Sequence, residues 1–201
     1  LHLSFRRQRQ MCIRDSCMAK PLAHTPGSSM HIHQSVVEQG SGRNIFSADN
    51  DEATAAFYHF IGGQQAAMAD FTLLFAPHVN SYQRLCHPYA SPNNACWSVD
   101  NRAAGLRIPA SAPVARRVEN RLPGADANPY LALAASLAAG LHGLERELQP
   151  SAPIQGEFEV PEELALPCTM HAAIERLKRS ELAIELFGAE FIEGYIASKT
   201  L

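Results

Sequence analysis

Two histidines, His31 and His33, sit two apart in the run Met30-His31-Ile32-His33-Gln34-Ser35-Val36-Val37. Side chains alternate along a strand, so both imidazoles project from one face. That suits a shared metal or nucleotide site, and equally an ordinary surface pair. Further along, Arg116-Arg117-Val118-Glu119-Asn120-Arg121 alternates so that Arg117, Glu119 and Arg121 share a strand face. A carboxylate between two guanidinium groups is costly to bury unless it holds a metal or the arginines hold anions; the other reading is a solvated face. Arg84, Arg102 and Arg107 enlarge the cluster. Such a density suits a substrate rich in phosphate and carboxylate, although arginine clusters also build structural salt bridges. There is no Walker-type loop and no Rossmann fingerprint. A nucleotide bound here would be held by metal ligands and arginines, which suffice for phosphoryl transfer because the protein's task is positioning and charge neutralisation.

These residues need elements to position them. Pro21 and Pro26-Gly27-Ser28-Ser29 predict a loop leading into the His-x-His strand. Asp49 or Asn50 is a candidate cap for a helix from Glu52 toward Asp70, weakened at its middle by Gly62-Gly63. Pro88, Pro92 and Asn93-Asn94 predict a loop, followed by two strands, Leu106-Arg107-Ile108 and the Arg116–Arg121 run. After a turn at Pro123-Gly124, Asn128 and Pro129 are a cap and first-turn pair for a helix from Pro129 to about Leu148. Its residues are apolar nearly all round, which predicts burial. Pro150 and Pro153 end it, and two amphipathic helices, about 169–179 and 189–198, close the chain.

The bulk composition of the 201 residues is that of a soluble globular protein, 46% hydrophobic and 18% charged with net charge −3. Arg6, Arg7, Arg9 and Arg14 face only Asp15 in the first sixteen residues, so the remainder is more acidic still. Nothing in that balance favours nucleic acid or an anionic membrane as a partner. The most apolar stretch, Tyr130 to Leu144, falls short of the roughly 20 residues of a spanning helix. Five scattered cysteines without C-x-x-C spacing imply a reducing compartment, and the expected location is cytoplasmic. Residues 1–16 show no clean periodicity and read as a segment foreign to the fold, leaving 17–201 as the domain.

PGSSMHIHQS, NSYQRL, DNRAAGLRIP, RRVENR and PGADANPYLALAASLAAGL occur in an order and at separations that resemble the catalytic domain of the glutamine synthetase family, from Met18 almost to the end. The resemblance implies an α+β fold, an antiparallel sheet packed with helices and here incomplete. It implies ATP and Mg2+ (or Mn2+) as cofactors, with glutamate and an amine as substrates. ATP would phosphorylate the glutamate γ-carboxylate, and the amine would displace phosphate from the acyl phosphate. By resemblance, His31 and Glu119 are metal ligands, and His33, Ser35, Arg102, Arg107 and Arg117 are nucleotide contacts. Arg102 and Arg107 also stabilise the transferring phosphoryl group, and Gly27, Arg84 and Arg121 contact the amino-acid substrate. The resemblance further implies large homo-oligomers with sites between subunits.

Two departures bear on the amine. Ammonium-using members place a glutamate where Ala90 stands, six residues after Arg84. Pro26 and Ser29 replace a usual asparagine and glycine. These point to the γ-glutamylputrescine or γ-glutamylpolyamine synthetase subgroup, with an ammonium-using glutamine synthetase and an inactive structural member of the fold as alternatives. Other family metal ligands are glutamates upstream of anything matching Met18, so this chain alone is expected to have no ligase activity.

Overall fold

The structure, a computed structural model, describes residues 17–86, 91–156 and 158–200. Segment 1–16 and Ala90 lie outside those residues. Four three-residue strands, β1 (Ile32–Gln34), β2 (Trp97–Val99), β3 (Leu106–Ile108) and β4 (Val118–Asn120), form one sheet in the order β1-β4-β3-β2. The expected α+β architecture is present. Its antiparallel part is β1, β4 and β3, while β2 joins β3 in parallel. The sequence offered no strand at Trp97–Val99, because its pairing depends on a return of the chain. Asp100 adopts a positive φ of 51°, and the Asn94 side chain accepts from Gly105 N and donates to Ala103 O.

Strand alternation sorts the residues as expected. Ile32, Leu106, Ile108 and Val118 are buried in the core. Gln34 is tied to the helices behind the sheet, where Gln64 Nε2 and Ser136 Oγ donate to its Oε1 at 2.8 and 2.6 Å. On the other face, both His33 and Arg107 stand opposite Glu119.

Behind the sheet lie α1 (Ala55–Met68) and α4 (Pro129–Glu145). Thr54, rather than Asp49 or Asn50, caps α1 by accepting from Phe57 N. Asn50 is instead spent inside a turn, accepting from Glu52 N. The α4 cap is the expected one, with Asn128 accepting from Tyr130 N and Leu131 N, but the helix ends at Glu145 rather than near Leu148. Gly62-Gly63 does not interrupt α1. A Cβ on Gly63 would stand 2.5 Å from Gly143 Cα, and one on Gly143 would stand 2.6 Å from Gly63 Cα, so these glycines let the two helices approach backbone to backbone. The expectation that α4 is buried all round is corrected: Tyr130, Leu133, Leu137 and Leu141 form an exposed stripe. Burial of its other face rests on small residues, among them Ala132, Ala135, Ser136, Ala139, Gly140 and Gly143.

The short helices α2 (Thr72–Phe75) and α3 (Val79–Leu85) lead toward the pocket side, and α5 (Met170–Arg179), α6 (Glu181–Phe187) and α7 (Ala189–Thr200) close the fold. The sequence predicted two helices where three occur. Ser180 alone separates α5 from α6, ending one and capping the other, and it donates to Asp70 Oδ2 at 2.6 Å. No described helix is long and apolar enough to cross a membrane.

Candidate active site

Glu119 is the centre of the polar sheet face. Its carboxylate is 3% exposed and both oxygens are engaged. Arg107 Nη1 donates to Oε2 at 2.7 Å, Arg121 Nη1 donates to Oε1 at 3.0 Å, and His31 Nδ1 lies 2.9 Å from Oε1. Arg107 is itself braced by an ion pair with Asp100, the first residue of the DNRAAGLRIP motif, to which the sequence reading gave no role of its own. Burial pushes the Glu119 carboxyl up, but the Arg107 hydrogen bond and the charges of Arg121, His31 and Arg107 outweigh it and hold it below the usual carboxylate range. Burial, joined by the Arg121 charge, holds His31 below the ordinary histidine value against the pull of Glu119. A neutral His31 that presents Nδ1–H to Glu119 keeps the lone pair on Nε2 free for a metal.

These side chains border a cavity of about 920 Å³, lined by His31, Arg102, Arg107, Glu119 and Arg121 together with Ser91, Pro92, Asn93, Asn94, Ala103 and Phe158. Among the charged lining residues, three arginines face one carboxylate, so the cavity favours an anion. Arg102 is exposed and makes no hydrogen bond or ion pair among the described residues, which leaves its guanidinium free for a ligand. The Nε atoms of Arg107 and Arg121 are buried without a hydrogen-bond partner among the described residues.

The other expected site residues stand elsewhere. Arg84 is buried behind the cavity wall, where Nη1 donates to Ser29 Oγ at 2.8 Å and Ser91 Oγ at 3.0 Å and Nη2 donates to Leu122 O. Burial brings its guanidinium down to about 10, still a cation at neutral pH. Gly27 makes room for it: a Cβ there would stand 2.6 Å from Arg84 Cγ. His33 and Arg117 lie outside the cavity and contact each other, with Arg117 Nε donating to His33 Nδ1 at 3.2 Å. Ser35 is exposed beyond the end of β1. The sequence reading missed Ser91, Asn93, Asn94 and Phe158; for the first three, closeness to Arg84 in the chain was the only available signal.

A divalent cation fits this donor set in part. Glu119 and neutral His31 supply two suitable ligand types, and among the described residues no group of three or more His, Cys, Asp or Glu side chains is placed to hold a metal. The arginines around them would oppose a bare cation, so the set suits a cation that arrives with phosphate.

Fold and cavity thus define an α+β domain in which three arginines surround one buried carboxylate. Comparison with known proteins gives the class a family. The glutamine synthetase catalytic domain model matches residues 8–201. A glutamate–isopropylamine ligase of Pseudomonas sp is 39% identical over 90% of this chain and 40% of its own length. A γ-glutamylethanolamide synthetase, GlnA4, of Streptomyces coelicolor is 40% identical over 84% of this chain and 36% of its own. The solved structure of ligand-free GmaS superposes with a TM-score of 0.78 at 33% identity, covering 92% of this chain and 43% of that one. The chain belongs to the glutamine synthetase family, and it spans about 40% of the length of the ligase relative.

Proposed function

We propose that the protein carrying this chain is an ATP-dependent carboxylate–amine ligase that forms a γ-glutamyl amide through γ-glutamyl phosphate. Putrescine or another polyamine is the acceptor in this reading. The observation that carries it is the Glu119 carboxylate held by His31, Arg107 and Arg121 in a cavity with net positive lining. Arg102 and Arg107 neutralise charge on the transferring phosphoryl group, and Arg121 orients the substrate carboxylate. His31 and Glu119 hold Mg2+ or Mn2+, which when bound offsets the charge of the ATP phosphates. Arg84 acts from behind the wall, keeping Ser29 and Ser91 in place. His33, Ser35 and Arg117 would contact the outer part of the nucleotide. We place the protein in the cytoplasm as a large homo-oligomer whose neighbouring subunit completes the site.

An organic amine is favoured over ammonium by the names of two relatives, which join glutamate to isopropylamine or ethanolamine, and by Ala90, where a cation-holding glutamate is absent. The second reading, an ammonium-using enzyme, is supported by relatives such as the glutamine synthetase of Thermus thermophilus, 37% identical. Phosphate release with ATP, magnesium and glutamate, comparing ammonium, putrescine and longer polyamines at matched concentrations, tests both. Diamine preference supports the polyamine reading, ammonium preference replaces it with the second, and no turnover with any amine brings forward an inactive member of the fold.

A further inference from the structure

Cys86 and Cys168 are 82 residues apart in the chain and meet at the surface beside the cavity wall. Both residues are exposed and free. Cys86 Sγ donates to the Cys168 backbone O at 3.3 Å, which brings the Cys86 thiol against the residue that carries the second one. Asn93, a lining residue of the cavity, donates from Nδ2 to Cys168 Sγ at 2.9 Å. Cys86 is the C-cap of α3, two residues beyond Arg84, and its N–H donates to Tyr82 O. Cys168 sits just ahead of the Thr169 cap of α5. The other two described cysteines differ: Cys96 is buried, and Cys17 is exposed near the start of the described residues.

We propose that Cys86 and Cys168 are a redox modification site, forming a reversible disulfide that ties the end of α3 to the loop before α5 and acts on the cavity through Asn93. The oxidant is a low-molecular-weight disulfide such as oxidised glutathione. Cys168, exposed and already holding a hydrogen bond from Asn93 at its Sγ, is the attacking sulfur in this sequence of steps. It attacks one sulfur of glutathione disulfide, that S–S bond breaks, and the first glutathione leaves as thiolate. Cys86 then loses its proton to water and attacks the Cys168 sulfur, forming the Cys86–Cys168 bond and expelling the second glutathione. Two protein thiols are oxidised, and one disulfide is reduced to two thiols. Cys86 is the slower partner, since partial desolvation and the neighbouring Cys168 push its thiol up to about 12. Exposure keeps the bond within reach of cellular reductants, in line with a labile disulfide rather than a structural one. The inference concerns bond formation and does not require the proposed ligase activity.

The test treats the purified protein with oxidised glutathione, blocks remaining thiols with maleimide, and maps the peptides without reduction. The expected result is a peptide pair joined through Cys86 and Cys168 within one chain, lost on adding dithiothreitol, with Cys96 unchanged. Cys86→Ser is expected to leave Cys168 as a persistent glutathione adduct that the wild type resolves. Separate adducts on both cysteines of the wild type with no joined peptide, or a joined peptide only between chains, would overturn the proposal. Circular dichroism of Cys86→Ser checks that the variant folds, and the wild-type peptide map decides the question if it does not.

Discussion

The two faces of the sheet solve opposite problems. On the cavity side, charges are brought together and kept charged: Glu119, Arg107, Arg121 and His31 interlock within hydrogen-bond distances. On the core side, α1 and α4 approach until their backbones touch, and what permits this is the lack of side-chain atoms at Gly63 and Gly143. The first arrangement is specified by chemical identity and the second by absence. Changes of identity should therefore damage the first, and an added methyl group should damage the second.

The largest expected effect is at the charged centre. Glu119→Gln preserves shape but removes the charge that Arg107, Arg121 and a cation need, and should lower amine-dependent phosphate release by roughly a hundredfold or more in the active protein. A variant that turns over at the wild-type rate would remove Glu119 from the chemistry. Next comes Gly63→Ala. Helix propensity predicts a gain of up to about 1 kcal/mol, whereas forcing a methyl group against α4 costs about 1–3 kcal/mol or more. Urea denaturation should show net destabilisation, and net stabilisation would mean the helices separate freely.

A pH prediction separates the faces further. His31 has its pKa lowered in the fold, so folding favours its neutral form. Its contribution is present above the unfolded histidine value and is lost as pH falls through the folded one. Calorimetric titration with Mn2+ should therefore weaken as the solution is acidified through that window, and His31→Gln should flatten this part of the profile. Unchanged pH dependence in the variant would place the titration elsewhere. The smallest effect is a control for the glycine argument. Gly194 lies inside α7 with nothing within 4 Å of an added Cβ. Gly194→Ala should stabilise by up to about 1 kcal/mol, opposite in sign to Gly63→Ala.

Much of this site is legible in the sequence. Period-two alternation put His31 on one face and Ile32 on the other, and did the same for Glu119 and Val118. Side-chain chemistry picked out His31, Arg102, Arg107, Glu119 and Arg121, which all line the cavity. His33 and Arg117 shared that periodicity but face each other outside it, because alternation gives the face of a strand and not the distance from a cavity. Strand β2 was not legible for a related reason: its partner is fixed by the Asn94 side chain and the backbone turn at Asp100, not by its own three residues.

The sequence by itself determined the local chemistry: the cap at Asn128, the strand faces, and the side chains of a type able to bind anions and a cation, since these depend on side-chain type and short-range geometry. Only the tertiary structure decided why Gly62-Gly63 sits inside a helix, that Arg84 is buried against Ser29 and Ser91, that one stripe of α4 stays exposed, and that Cys86 meets Cys168. Each of those rests on an approach between segments far apart in the chain, and no local periodicity encodes such an approach.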